Sequence, residues 1–372
     1  MRYTRREFGK LALAGLPAAA LIETPLFGLQ AKPNSKFGSV QLGVITYSYR
    51  SMPDQSAEAT LKYILDSGIS ATELMDGPVE NFLGKPAPPA PPAGGPGRAG
   101  GRGAGGASSG PTPYEQLLAG TMPTCTPNPA GRAGGGGGRG GRGGPSPEQL
   151  AYAEAVRKWR TSVSLDKVKA LRKMYNDAGV TIYAYKSDGL PKNLQTTDAE
   201  LEYLFSVASA LGATHTTMEL PNPGPDGTAM LKRMAQFAEK HKVRVGYHTH
   251  AQGSMTAFDE ALAMSPWNMS NVDLGHYVAA GNKGGSPLEF LERHHARIVS
   301  FHLKDRTLPE HCSLTVPFGM GDAPIKEILL LMKKNKWTFP ATVELESPIP
   351  ADSDAVKEVR KSVEYAKNVL LA

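Results

Sequence analysis

The sequence predicts an α/β chain folded as a single (β/α)8 barrel, and three observations carry that expectation. Eight short apolar runs, rich in β-branched residues and closed by Gly, Pro or polar clusters, alternate with helical stretches, as in a parallel sheet with helices packed outside it. No G-x-G-x-x-G follows the first run, which favours a closed barrel over an open dinucleotide-binding sheet. Once two segments of unusual composition are set aside, roughly 270 to 280 residues remain, close to the size of one such barrel.

The first of those segments is 1–36. Thr4-Arg5-Arg6-Glu7-Phe8-Gly9-Lys10 precedes an apolar stretch over 11–22, matching a twin-arginine export signal in its paired arginines, its Phe and its Lys. The apolar stretch is too short for a stable membrane anchor and sits directly behind the basic residues, as a cleaved signal does. The expectation is therefore a partner in the twin-arginine export machinery and a mature protein that is periplasmic or secreted, with the barrel over 37–372.

Strands are predicted over 41–47, 71–75, 181–185, 214–220, 243–248, 271–274, 298–303 and 342–345. Helices are predicted over 57–67, 164–178, 198–211, 227–241 and 324–335. Gly68, Gly179 and Gly212 each stand between a helix and the next strand, where a left-handed turn ends a helix. Asp166 near Ser164 and Asp198 after Thr197 are suited to cap the helices that follow them.

The second segment, 85–147, interrupts the chain after the second strand and is dominated by Gly, Pro, Ala and Arg. With almost no bulky apolar side chains it cannot offset the entropy of ordering, so a disordered insertion on the C-terminal face of the barrel is expected. The charge divides along the same lines. The insertion carries +5 and residues 1–36 carry +4 of a total of +6, which leaves the rest of the chain at −3. A mildly acidic barrel gives no reason to expect a nucleic-acid partner. Cys125 in the insertion and Cys312 in a late loop are the only cysteines, so a Cys-rich zinc module is excluded, while one bridge is conceivable in an oxidising compartment.

The chemistry-bearing residues gather at the ends of the later strands. Glu219 lies in MEL, His248 and His250 in YHTH, Asp273 and His276 in VDLGH, His302 in SFHLKD and Glu344 in VELE. In a closed parallel barrel all strand C-termini open on one face, so these residues converge. Burial of so many ionisable groups is costly unless it is compensated. A mixed imidazole and carboxylate set suits a divalent Mn, Co, Zn or Fe ion better than Mg.

The expected ligands are Glu219, His248, Asp273, His302 and Glu344, with Glu344, Glu219, His250, His276 and Lys186 as catalytic candidates. His250 shares a face with His248 and is free to meet substrate. Gly275 lets His276 swing over the mouth while Asp273 stays inside. Glu73 and Lys186 close the second and third strands, where either can meet substrate oxygens; Lys186 equally reads as the ion-pair partner of Glu73 or Asp188. Lys304 is expected at the rim or as a group that supports the ligands without binding the ion, Asp305 and Glu346 in solvent or salt bridges, and His215, His241, His294, His295 and His311 as hydrogen-bonded core or rim residues.

In order and spacing, Gly246-Tyr247-His248-Thr249-His250, Val272-Asp273-Leu274-Gly275-His276, Ser300-Phe301-His302-Leu303-Lys304-Asp305 and Val343-Glu344 resemble the xylose isomerase-like TIM barrels. That superfamily includes sugar phosphate isomerases and epimerases, keto-sugar 3-epimerases, hydroxypyruvate isomerase and inosose dehydratase. The resemblance implies a divalent ion held by Glu, Asp, His and Glu, of which Asp273, His302 and Glu344 match the last three. At the fifth strand the epimerases carry a Glu and this chain has His248, which more closely resembles a Tyr-His-x-His branch related to inosose dehydratase and 3-keto-sugar enzymes.

What the resemblance implies is an isomerase, epimerase or lyase acting on a keto-sugar or related polyol. The shared step is proton abstraction next to a carbonyl through a metal-stabilised enediolate, with a small sugar as partner and a homo-oligomer left open. Export favours unphosphorylated keto-sugars, inososes or oxidised glycosides. Two other readings predict different chemistry: an endonuclease IV-like phosphodiesterase, which needs more His and Asp ligands and a basic groove, and a non-catalytic sugar-binding barrel indifferent to chelation.

Overall fold

The computed structural model describes residues 32–89, 110–126 and 146–372. Its core is eight strands: β1 Val40–Ile45, β2 Ala71–Met75, β3 Thr181–Lys186, β4 His215–Glu219, β5 Arg244–His248, β6 Asn268–Asn271, β7 Phe301–Leu303 and β8 Ala341–Val343. They run in the order β6-β5-β4-β3-β2-β1-β8-β7, every neighbouring pair parallel. The remaining seam, between β6 and β7, is closed by parallel bridges at Ser270–Ile298 and Asp273–His302. Val299 N donates to Ser270 O at 3.1 Å and His302 N to Val272 O at 2.9 Å across it. Two of the expected ligands thus form the backbone clasp that closes the cylinder.

The helices are α1 Ala57–Asp66, α2 Asp76–Leu83, α3 Pro113–Leu118, α4 Pro147–Ser162, α5 Leu165–Asp177, α6 Asp198–Leu211, α7 Pro225–His241, α8 Asp259–Met264, α9 Leu274–Ala279, α10 Pro287–His294, α11 Ile325–Asn335 and α12 Ala355–Leu371. Apolar residues at helical spacing bury one face of each long one: Ala57, Leu61 and Ile64 in α1, and Ala355, Val359, Val363, Ala366 and Leu370 in α12. Inside the cylinder, β1 contributes Gly43, where a Cβ would come within 2.5 Å of Tyr183 Oη. The missing side chain makes room for that ring, whose hydroxyl pairs with Thr342 Oγ1 of β8 at 2.8 Å. No helix among the described residues is long and apolar enough to cross a membrane.

The three expected glycine stops hold: Gly68, Gly179 and Gly212 take φ of 78°, 85° and 76°. The caps are displaced by one or two residues. Thr197 accepts from Glu200 N and Ser164 from Asp166 N, so Asp198 and Asp166 occupy the first turns instead of capping. The sixth strand is the largest shift, β6 at Asn268–Asn271 in place of 271–274. The cause is local: the Asp273 side chain accepts from His276 N and starts α9 at Leu274, so the apolar run straddles a strand end and a helix start.

The export-signal residues up to position 31, and 90–109 and 127–145 of the insertion, lie outside the described residues. Between the latter two, residues 110–126 carry α3, opened by a capping box of Thr112 and Glu115, and Cys125 is disulfide-bonded to Cys312. The insertion leaves after α2 and returns through α4, so this part of it is built structure.

Candidate metal centre

At the C-terminal ends of β5 to β8 the chain brings His248, Asp273, His302 and Glu344 together, with ligand-type atoms of all four within 4.8 Å of one another. Each is buried. His302 Nδ1 lies 2.7 Å from Glu344 Oε2 and 3.9 Å from Asp273 Oδ2, and His248 Nε2 is 4.0 Å from the same Asp273 oxygen. Asp273 Oδ1 is used to cap α9, accepting from His276 N at 2.7 Å. Its Oδ2 points into the cluster, fully buried and without a hydrogen bond; Lys304 Nζ is 2.9 Å away, out of hydrogen-bond alignment. The Lys304 charge compensates this oxygen, but its hydrogen-bonding capacity is unused.

Charge in the cluster is unbalanced in the same sense. Four carboxylates, Glu73, Asp273, Glu344 and Glu346, meet two cations within ion-pair distance, the His302 imidazolium and the Lys304 ammonium. Burial pushes the imidazolium pKa of His302 down, yet the charges of Glu344 and Glu73 outweigh it and raise the value to about 10. Burial likewise opposes ionisation of Asp273 and Glu344, but Lys304 above all holds both well below the usual carboxylate range. His248 goes the other way, lowered to about 4 by burial and the nearby His302 charge, so its imidazole is neutral and able to ligate. Two imidazoles and two carboxylates with surplus negative charge and an unbonded oxygen fit a divalent ion of borderline softness.

Of the two places expected for Lys304, the structure gives the one against the ligands and not the rim. A strand period of two puts residue 304 on the same face as His302, and its side chain is buried, with Nζ 2.8 Å from both Glu344 Oε2 and Glu346 Oε2. Gly275 admits it: a Cβ there would lie 2.7 Å from Lys304 O and 2.9 Å from Lys304 Cβ. Asp305 is also buried and not in solvent; Gly319 N and Gly321 N donate to its Oδ2 at 2.8 and 3.1 Å, so it ties down the loop after β7. Glu73 is fully buried, its two oxygens taken by His302 Nε2 at 3.1 Å and the Thr217 hydroxyl at 2.5 Å. It stands behind the cluster, which rules out the substrate contact expected from its place on β2.

Glu219 stands apart from the four. It forms a second group with His248 and His250, accepting from His250 Nδ1 at 3.0 Å and Lys186 Nζ at 3.2 Å, with half of its side chain exposed. Burial opposes its ionisation, but the His250 hydrogen bond and the neighbouring cations hold its pKa far down. The Glu219 bond in turn raises that of His250. Of the two ion-pair readings for Lys186, neither gives its contact; Glu219 does. Glu219 and Lys186 open onto a cavity of about 1070 Å³ between the loops after β3 and β4, walled by Pro191, Leu194, Pro221 and Met230, comparable to the upper end of sites for drug-sized ligands, about 300–1,000 Å³.

His276 lies in the first turn of α9 with its ring 4.5 Å from that of His250, and Arg306 Nη1 donates to its Nδ1 at 2.6 Å. Burial lowers its pKa to about 2, so the ring is neutral. Arg306 and Asn271, whose Oδ1 accepts from His248 Nδ1 at 3.1 Å, had no signal in the sequence. The remaining histidines have local partners: His215 bonds Thr214 and Ser300, His294 the Met255 carbonyl, His241 lies against Glu202, His311 against Asp322, and His295 stacks on Trp337.

A family model for xylose isomerase-like TIM barrels matches residues 149–369, which takes in β3 to β8 and all four clustered residues. Among solved structures, a probable 3-DHS dehydratase from Bacillus anthracis is 11% identical, covers 87% of this chain and 98% of its own, and has a TM-score of 0.55. D-Psicose 3-epimerase from Clostridium cellulolyticum H10 is 9% identical with coverages of 89% and 99% and a TM-score of 0.52. A sugar phosphate isomerase/epimerase from Parabacteroides distasonis is 15% identical with coverages of 91% and 97% and a TM-score of 0.51. No curated protein is significantly similar in sequence. At such identities the likeness to solved structures establishes the fold. The family match spans more than half of the chain and includes every strand that bears a clustered donor, so this chain belongs to the xylose isomerase-like TIM barrel family.

Proposed function

We propose that this chain is a divalent-metal-dependent isomerase, epimerase or lyase that removes a proton next to the carbonyl of a keto-sugar or related polyol. The observation that carries the reading is the buried Asp273 Oδ2, ion-paired with Lys304 but without a hydrogen bond, among His248, His302 and Glu344. Those four residues would hold the ion, with Mn, Co, Zn or Fe suited to the mixed donor set. When bound, it supplies Lewis-acid stabilisation of the negative charge that develops on the sugar oxygens as the proton leaves.

The rest of the chemistry falls to side chains that substrate can reach. Glu219, on the cavity wall, and His250, hydrogen-bonded to it, form the proton-accepting pair, and Lys186 holds the Glu219 carboxylate in place. Glu344, tied to His302 and Lys304, acts as a ligand and not as the base. His276, neutral and braced by Arg306, borders the site beside His250 and offers its second nitrogen to a sugar hydroxyl.

The test is isotope exchange. Metal-loaded protein incubated in D2O with a panel of keto-sugars and 3-keto-glycosides is expected to place deuterium at the carbon next to the carbonyl, and His302→Ala to abolish it. Exchange that survives complete metal removal overturns the reading, as does silence across the panel from protein shown to be metal-loaded. The proposal also places the mature protein outside the cytoplasm on the strength of Arg5 and Arg6. Changing both to Lys is expected to leave precursor in the cytoplasm, and undisturbed export overturns it.

A further inference from the structure

We infer that Glu73 is a positioning residue for the metal centre: from the opposite wall of the barrel it fixes the His302 ring so that Nδ1, and not Nε2, faces the other ligands. The inference rests on His248, Asp273, His302 and Glu344 being a metal centre, and it concerns a residue outside that set. Glu73 lies on β2, across the cylinder from β7, and is 0% exposed. Its Oε2 is 3.1 Å from His302 Nε2, while Nδ1 of the same ring is 2.7 Å from Glu344 Oε2. The two nitrogens therefore have separate duties, one turned to the ligands and the other to Glu73.

A charged side chain at this depth has no structural advantage over an apolar one, since ionising a buried carboxyl is costly. Its partners give the reason for it. The carboxylate accepts the Nε2 proton, which leaves Nδ1 as the nitrogen able to ligate, and it raises the electron density of the ring. Imidazoles that ligate metals usually donate their other N–H to such a group. Glu73 is itself oriented by the Thr217 hydroxyl on its other oxygen, so a chain of contacts runs from β4 through β2 to the ligand on β7. With both oxygens used, neither is free for substrate.

The experiment is calorimetric titration of the full-length protein with Mn2+, with visible absorption of the Co2+-loaded form as an independent report on ligand geometry. Circular dichroism and thermal melts accompany each variant to establish that it folds. Glu73→Ala is expected to weaken Mn2+ binding about 10–100-fold and to alter the Co2+ spectrum. Glu73→Gln keeps a neutral acceptor and is expected to weaken it about tenfold, with a smaller change for Thr217→Val. Folded variants that bind Mn2+ as the parent does, with its Co2+ spectrum, overturn the inference; if Glu73→Ala does not fold, the isosteric Glu73→Gln alone decides. A parent protein that binds neither ion sinks the metal-centre reading itself, a separate outcome.

Discussion

Two ionic clusters are buried in this barrel, and they are built to opposite rules. At the base of the insertion, Glu80 of α2 accepts from Arg160 Nε of α4 at 2.9 Å and from Tyr203 Oη at 3.3 Å on one oxygen, and meets Lys85 Nζ at 2.5 Å on the other. Every atom of that carboxylate is satisfied and the cations outnumber it. Across the strand ends, Asp273, Glu344, Glu346 and Glu73 outnumber their cations and one oxygen has an ion pair but no hydrogen bond. The first cluster clamps the two ends of an insertion; the second carries the surplus charge and the donor set that the proposed metal ion would use. Buried charge by itself therefore does not mark a functional site; the contrast between the two clusters lies in how that charge is balanced.

The sharpest way to break that contrast is Asp273→Asn. Asn caps a helix as well as Asp does, so α9 should persist while the ligand charge is lost, and turnover in the exchange assay should fall by about a thousandfold or more. Near-parental turnover would mean the unbonded oxygen is incidental. Next in size, Arg160→Met unbalances the closed cluster. It is expected to cost about 3 kcal/mol in urea unfolding, with turnover per folded molecule unchanged, and a variant with both stability and turnover intact would show that Glu80 needs no clamp.

Metal itself should distinguish the clusters. Mn2+ at a hundredfold its dissociation constant should add about 2.7 kcal/mol to the unfolding free energy, equally in the parent and Arg160→Met, and nothing in Asp273→Asn at that concentration. The smallest effect concerns a third buried group with neither role. Burial lowers the pKa of His215 to about 4 from the ordinary 6.5. The unfolded chain therefore takes up a proton that the folded chain refuses, so this stability is fully present above pH 6.5 and is lost as pH falls through 4. His215→Gln should reduce the slope between those values by one proton, about 1.4 kcal/mol per pH unit, as urea midpoints at several pH values would show.

The sequence made the strand ends legible because the barrel imposes a simple rule on them: an ionisable residue that closes a buried apolar run must face the common mouth. Asp273, His302 and Glu344 obeyed it. The rule failed where a residue served two elements or faced across the cylinder. Asp273 both ends a strand region and caps α9, which displaced the sixth strand by three residues. Glu73 points to the far wall, and nothing in Ala71-Thr72-Glu73-Leu74 indicates which strand it meets. Lys304 was hidden by its residue type, since lysines are rarely buried without partners, and its partners lie 31 to 42 positions away. The helix at Pro113–Leu118 was hidden by composition, being short and flanked by glycine-rich sequence.

The Cys125–Cys312 bond has a consequence for proteolysis. A cut anywhere in 127–145 separates the two half-cystines onto different fragments, which then migrate together on a gel until reductant is added. A cut in 90–109 leaves both sulfurs on the C-terminal fragment, so the two pieces part under denaturing conditions with or without reductant. Mobility before and after reduction thus reports which stretch of the insertion a protease has nicked.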